Sequence, residues 1–88
     1  MKRSDNIMIL NDKEYEMRVL EIGLKIGYYR RKSGMTQAEV AEAVGVTTAH
    51  YAEIEAPNMV RCPSIKLLLN LEKTFGVPAY KFLQTDED

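Results

Sequence analysis

The sequence predicts an all-α fold of five helices, and three observations carry that expectation. Apolar residues recur at spacings of three and four along most of the chain, capping residues stand where each such run begins, and glycine or proline stands where it ends. No segment beyond the first eleven residues alternates apolar and polar side chains as a half-buried strand would, and there is no internal repeat or low-complexity tract.

The elements follow in order. Residues 1–11 are expected to form an arm of mixed character, with Lys2 and Arg3 ahead of the short apolar run Ile7-Met8-Ile9-Leu10. The arm has three readings: a disordered terminus, which sequence alone favours, a strand added to a partner, or a basic segment laid along phosphates. Asn11 or Asp12 then caps a first helix, with Glu14 three residues after Asn11, and Tyr15, Val19, Ile22, Ile26 and Tyr29 predict its inward face. Gly23 and Gly27 each cost about 1 kcal/mol relative to alanine inside a helix, so a break near Gly23 is expected. Ser33-Gly34 supplies the stop, after the basic run Arg30-Arg31-Lys32.

Thr36 followed by Glu39 is a capping box for a second helix, whose inward residues are Val40, Ala41 and Val44 and whose end is Gly45. Thr47 or Thr48 caps a third helix with Tyr51 and Ile54 inward, and Pro57 prevents its continuation. After an irregular stretch, Ser64 caps a fourth helix with Ile65, Leu68, Leu71 and Phe75 at helical spacing and Leu67 beside them, ended by Gly76. Pro78 fits the first turn of a last short helix in which Tyr80, Phe82 and Leu83 are expected to close the core. The organisation expected is an arm over 1–11, one helical domain over 12–83 and an acidic tail over 84–88.

Composition bounds the function classes. Eighty-eight residues, 45% hydrophobic, suffice for one compact core and argue against intrinsic disorder. The lone Cys62 excludes an internal disulfide and lacks the neighbours that zinc-site spacing requires, so no metal and no cofactor is expected. No apolar run reaches the roughly 18 residues of a membrane span or the form of a signal peptide, which predicts a cytoplasmic protein without membrane partners. An enzyme is not expected: there is no Ser-His-acid grouping, metal cluster or Gly-rich phosphate loop, and Glu39 and Glu42 read as a solvated helix face. The charge balance of 12 Lys and Arg against 13 Asp and Glu does not by itself suggest nucleic acid; without the terminal Asp86-Glu87-Asp88, however, twelve bases face ten acids.

Two short helices flanking a tight glycine-containing turn suggest a helix-turn-helix core. Specific residues sharpen this: Ile26 and Arg30 in the first helix, Met35-Thr36-Gln37-Ala38-Glu39-Val40-Ala41, Gly45-Val46-Thr47, Tyr51, Ile54-Glu55, Pro63-Ser64 and Phe75-Gly76-Val77. Over Ile22 to Leu83 the chain resembles the Xre family of phage-repressor and Cro-like proteins. The resemblance implies a five-helix phage-repressor-like DNA-binding domain with the helix-turn-helix at helices two and three. It also implies a transcriptional regulator, expected to be a repressor, that reads double-stranded DNA with helix three as a homodimer.

By the same resemblance, Gln37 touches the DNA backbone and braces Thr48. Independently, the start of a helix presents outward amides that attract phosphate. The resemblance implies that Thr47, Thr48, Ala49, Ala52 and Glu53 are the outward residues of helix three, with His50 near the DNA backbone or the groove edge. Threonine hydroxyls donate or accept, Ala49 packs on a thymine methyl, and Glu53 accepts from cytosine while being repelled by phosphates, or is a solubilising surface residue. His50 has no second histidine or nearby cysteine for a metal and reads as an exposed residue or a DNA contact. Asn58, Arg61 and Lys66 are candidate phosphate contacts in and after the following loop. The resemblance further implies an ion pair between Arg30 and Glu55 that links helix one to the end of helix three.

The chain departs from the family at Ala56-Pro57-Asn58, where an Arg-Gly or Asn-Gly pair is common. The arm, the first helix with Leu20 and Leu24, or the last helix with Tyr80 and Phe82 would supply a dimer interface. The alternative function is a protein-interaction module of the same fold, such as an antitoxin or partner-binding regulator with weak DNA binding, for which the low positive charge and Glu53 speak.

Overall fold

A computed structural model describes residues 8–85 and contains five helices in that span: α1 (Asp12–Lys32), α2 (Gln37–Val44), α3 (Thr48–Glu55), α4 (Ile65–Phe75) and α5 (Tyr80–Leu83). Lys2, Arg3 and the terminal acids 86–88, named above in the arm and the tail, lie outside the described residues. Local chemistry sets the boundaries. The Asn11 side chain accepts from the Glu14 amide at 2.8 Å while the Glu14 carboxylate accepts from the Asn11 amide at 2.9 Å. Thr36 and Glu39 do the same for α2, and Thr47 and Ser64 cap α3 and α4 through their hydroxyl oxygens. Each cap satisfies amides that the first helical turn leaves without a partner. Gly45 and Gly76 end α2 and α4 at φ +78° and +72°, a backbone that a Cβ disfavours.

Helix α2 packs against α3 and α4, and α1 packs against α3 and α5. Their shared core is built on Ile26, Val40, Tyr51, Ile54, Leu71 and Phe82, with Ala41, Leu67 and Leu68 completing it. Phe82 is held edge-on by Tyr29 and Phe75, at ring separations of 5.7 and 6.2 Å. Of the residues expected in the core from α4 and α5, Ile65, in the first turn of α4, and Tyr80 and Leu83 of α5 are exposed instead. Helix α5 is a single turn, so burying Phe82 turns its neighbours outward. Phe82, fully buried, is thereby removed from the candidate dimer contacts.

Helix α1 is continuous from Asp12 to Lys32, which corrects the expected break near Gly23. Both glycines are buried and serve tertiary packing. A Cβ on Gly23 would overlap the Ile54 carbonyl oxygen, and one on Gly27 would sit 3.1 Å from Glu55 Oε1. The end of α3 lies against these two bare positions, and this contact outweighs their poor helix propensity. Tyr15, expected on the inward face, is instead about half exposed near the start of α1, whereas Val19 is buried.

Gly23→Ala therefore separates two effects of opposite sign. Helix propensity alone would raise stability by up to about 1 kcal/mol; the clash with backbone at Ile54 is expected to lower it by about 1–3 kcal/mol. Urea unfolding reads the sign, and a stabilised variant would contradict the close approach.

Candidate nucleic-acid interface

The tight turn centred on Gly45 sets α3 against α2, and α3 presents a small polar surface. Thr47, Thr48 and Ala49 are exposed, while His50, Ala52 and Glu53 are partly covered. The Thr47 hydroxyl oxygen is occupied as the cap of α3, accepting from the His50 amide at 3.0 Å, which leaves its proton available to donate outward. Thr48 and Ala49 stand in the first turn of α3, where a helix presents side chains ahead of its own amides.

Two carboxylates belong to α3, Glu53 and Glu55, and the helix carries no Lys or Arg. Each is paired with an arginine from another part of the chain. Arg61, in the loop after α3, places Nη1 3.3 Å from Glu53 Oε1 and Nη2 2.6 Å from His50 Nδ1. A guanidinium has no acceptor, so in this contact His50 Nδ1 is the accepting nitrogen. Arg61 is thus folded back onto α3, where it offsets the Glu53 charge.

Glu55 is the more deeply engaged. Its side chain is 8% exposed and that of Arg30 14%, and Arg30 donates through Nε to Oε2 at 2.7 Å and through Nη2 to Oε1 at 3.2 Å. The remaining Arg30 nitrogen, Nη1, donates to the Met35 carbonyl at 2.8 Å, just before α2. Gln37, first residue of α2, donates its amide to Glu55 Oε1 at 3.0 Å. One carboxylate therefore ties α1, α2 and α3 together, in space that Gly27 leaves open. Burial pushes the Glu55 carboxyl up, but the hydrogen bonds and charge of Arg30, with the Gln37 amide, outweigh it and hold it below the ordinary range. Tyr51, buried beside this cluster, has its hydroxyl pushed well above the ordinary tyrosine range by burial and by the Glu55 charge, and it makes no hydrogen bond of standard geometry.

The resemblance implies that Gln37 braces Thr48; in the structure its side-chain amide donates instead to Glu55, at the end of α3. The carboxylate is charged and the nearest strong acceptor, which explains the preference. Lys66 is exposed in the first turn of α4, and Asn58 is exposed in the turn at Pro57 and Asn58. The loop also brings Arg61 to α3, a placement sequence reasoning did not foresee, because Arg61 follows Glu53 by eight residues across a proline. Gly23 and Gly27 were likewise read as helix defects; their four-residue spacing, which leaves a bare strip on one helix face, was the available signal. Among the described residues no three His, Cys, Asp or Glu side chains gather as metal ligands, and no helix is long and apolar enough to cross a membrane.

Comparison with known proteins agrees with this geometry. A family model described as helix-turn-helix matches residues 26–82, well over half the chain, and spans all five helices from the core-forming part of α1 to α5. No curated protein matches the chain.

The Glu55 cluster makes a pH-dependent prediction. A carboxylate held low in the folded chain contributes stability that is complete above the ordinary carboxylate pKa, about 4.3, and is lost as the pH falls through its folded value. Arg30→Met is expected to lower stability at neutral pH by about 3–5 kcal/mol, by stranding a buried charge, and Arg31→Met by less than about 1 kcal/mol. The Arg30→Met deficit should shrink as the pH is lowered through the carboxylate range, because protonating Glu55 removes the charge that needs a partner. Denaturant unfolding across pH measures both; equal deficits for the two variants, or one indifferent to pH, would contradict the role given to the pair.

Proposed function

This chain belongs to the helix-turn-helix family of Cro/C1 type, a family of DNA-binding regulators, and we propose that it is a sequence-specific transcriptional repressor that binds its operator as a homodimer. In this reading α3 enters the major groove, which admits a helix and presents a distinct pattern for every base pair. The observation that carries it is the pairing of both α3 carboxylates with arginines, which leaves the exposed residues Thr47, Thr48 and Ala49 free of uncompensated negative charge. An α3 with two bare carboxylates would be repelled by phosphates; this one has each charge offset within the fold.

Roles follow by residue. Thr48 and Thr47 donate to base or phosphate acceptors, Ala49 packs on a thymine methyl, and Ala52 lets the helix approach closely. Glu53, held by Arg61, accepts from cytosine N4, and His50 donates from Nε2 at the groove edge. Gln37, Asn58, Arg61 and Lys66 line the phosphate backbone, Gln37 while still bound to Glu55. Two copies on adjacent half-sites one DNA turn apart multiply the modest affinity of one short helix.

Fluorescence anisotropy with duplex from upstream of the protein's own gene, against scrambled duplex over a salt series, tests this. The expected result is binding at least roughly 10³-fold tighter to the upstream duplex, weakening steeply with salt, and reduced by Thr48→Ala on the specific duplex more than on the scrambled one. Weak and indiscriminate binding contradicts sequence-specific reading at that site. No binding even at low salt contradicts the DNA role and gives the same face to a protein partner.

A further inference from the structure

Helix α1 carries a second apolar surface that the core does not use. Leu10, Met17 and Leu24 recur every seven residues and are 56%, 60% and 53% exposed. Leu20, half buried, falls between the last two, and these residues line one groove whose polar margin is Glu14, Arg18 and Glu21. Side chains three, four or seven apart share one helix face, as Met17, Leu20 and Leu24 do over about 10 Å of helix, and Leu10, just before the Asn11 cap, lines the same groove. An apolar centre bordered by charges has the layout of a protein interface. All of it lies before residue 26, where the family match begins, so it is an addition to the part of the domain that the family shares.

Charge identifies what covers it. Residues 12–21 of α1 hold the acids Asp12, Glu14, Glu16 and Glu21 against Lys13 and Arg18; residues 22–32 hold no acid and, besides the Arg30 that Glu55 engages, the bases Lys25, Arg31 and Lys32. A parallel copy in register would set like charges side by side. An antiparallel copy sets Lys25 of each helix along the acidic half of the other, twice over. That is the requirement of a twofold contact, in which residue i meets j and j meets i. With the axis beside Leu20, Glu14 comes opposite the second copy's Lys25, and the Arg18–Glu21 ion pair that each chain forms within itself lies beside its counterpart with the opposite charges facing. The apolar stripe is turned about 100° around α1 from Gly23, where α3 packs, so the pairing leaves the exposed residues of α3 uncovered.

We propose that this face of α1 is a homodimer interface, formed by antiparallel pairing with α1 of a second copy. It rests on the dimeric reading given above and names the surface that makes the dimer. Light scattering coupled to size exclusion, on the full chain at tens of micromolar, is the test. Wild type is expected to be dimeric; Leu24→Glu, at a position exposed in the single chain, should weaken dimerisation by at least roughly tenfold with unchanged circular dichroism, and Leu24→Met should remain dimeric. Independently, Leu20→Cys in a Cys62→Ser background should form a disulfide-linked dimer on mild oxidation, and Cys62→Ser alone should not. A dimeric Leu24→Glu with no cross-link at position 20 overturns this interface while leaving the dimeric reading standing. A monomeric wild type overturns both, and the anisotropy experiment on the same protein then shows whether DNA reading survives without dimerisation.

Discussion

The Glu55 carboxylate, held by Arg30 across the gap that Gly27 leaves in α1, is the contact on which the rest of this small domain depends. It draws a donor from α1 and another from the first residue of α2, and Arg30 also fixes the Met35 carbonyl at the entry to α2. The cluster sits at the C-terminal end of α3, away from the exposed Thr47, Thr48 and Ala49, and ties that end to α1 and α2. A buried ion pair of this kind adds little net stability over an apolar substitute, whereas removing one member is severe. Its value here is geometric. Two short helices, α2 and α3, and the long α1, with a modest core between them, are given a common reference point that hydrophobic contacts alone specify loosely.

The same logic accounts for the unpromising overall charge. A chain that carries one more acid than base would approach DNA poorly if its charges were spread evenly. The acids are placed with care instead. Both α3 carboxylates are matched by arginines, all four acids of α1 lie in its N-terminal half, and basic residues gather at the end of α1 and at Lys66. Arg61 has a double consequence: it offsets Glu53 and engages Nδ1 of His50.

Much of the fold was legible in the sequence because its signals are local. Caps at Asn11, Thr36, Thr47 and Ser64 and stops at Gly45 and Gly76 act within four residues, and all of them form. What sequence misread was tertiary. Gly23 looked like a helix defect because propensity sees one helix at a time, and the approach of Ile54 that requires it comes from a segment about thirty residues away. Ile65 and Tyr80 have helical spacing but lie beyond the edge of the core, and periodicity does not reveal where a core ends. The arrangement of Gln37 and Arg61 was hidden for a related reason: each could be placed near a helix, but its partner is chosen by distance and charge in the assembled domain.

The most direct test of the central claim is residue-resolved: two-dimensional ¹H–¹⁵N spectra of the protein during titration with duplex DNA from upstream of its gene. The account predicts that the largest amide shifts fall on Gln37, Thr47, Thr48, Ala49 and Lys66, with the side-chain amide of Gln37 among them, while the outer face of α1 around Met17 and Leu24 is little changed. Shifts concentrated on that face of α1, or absent from the start of α3, would contradict it.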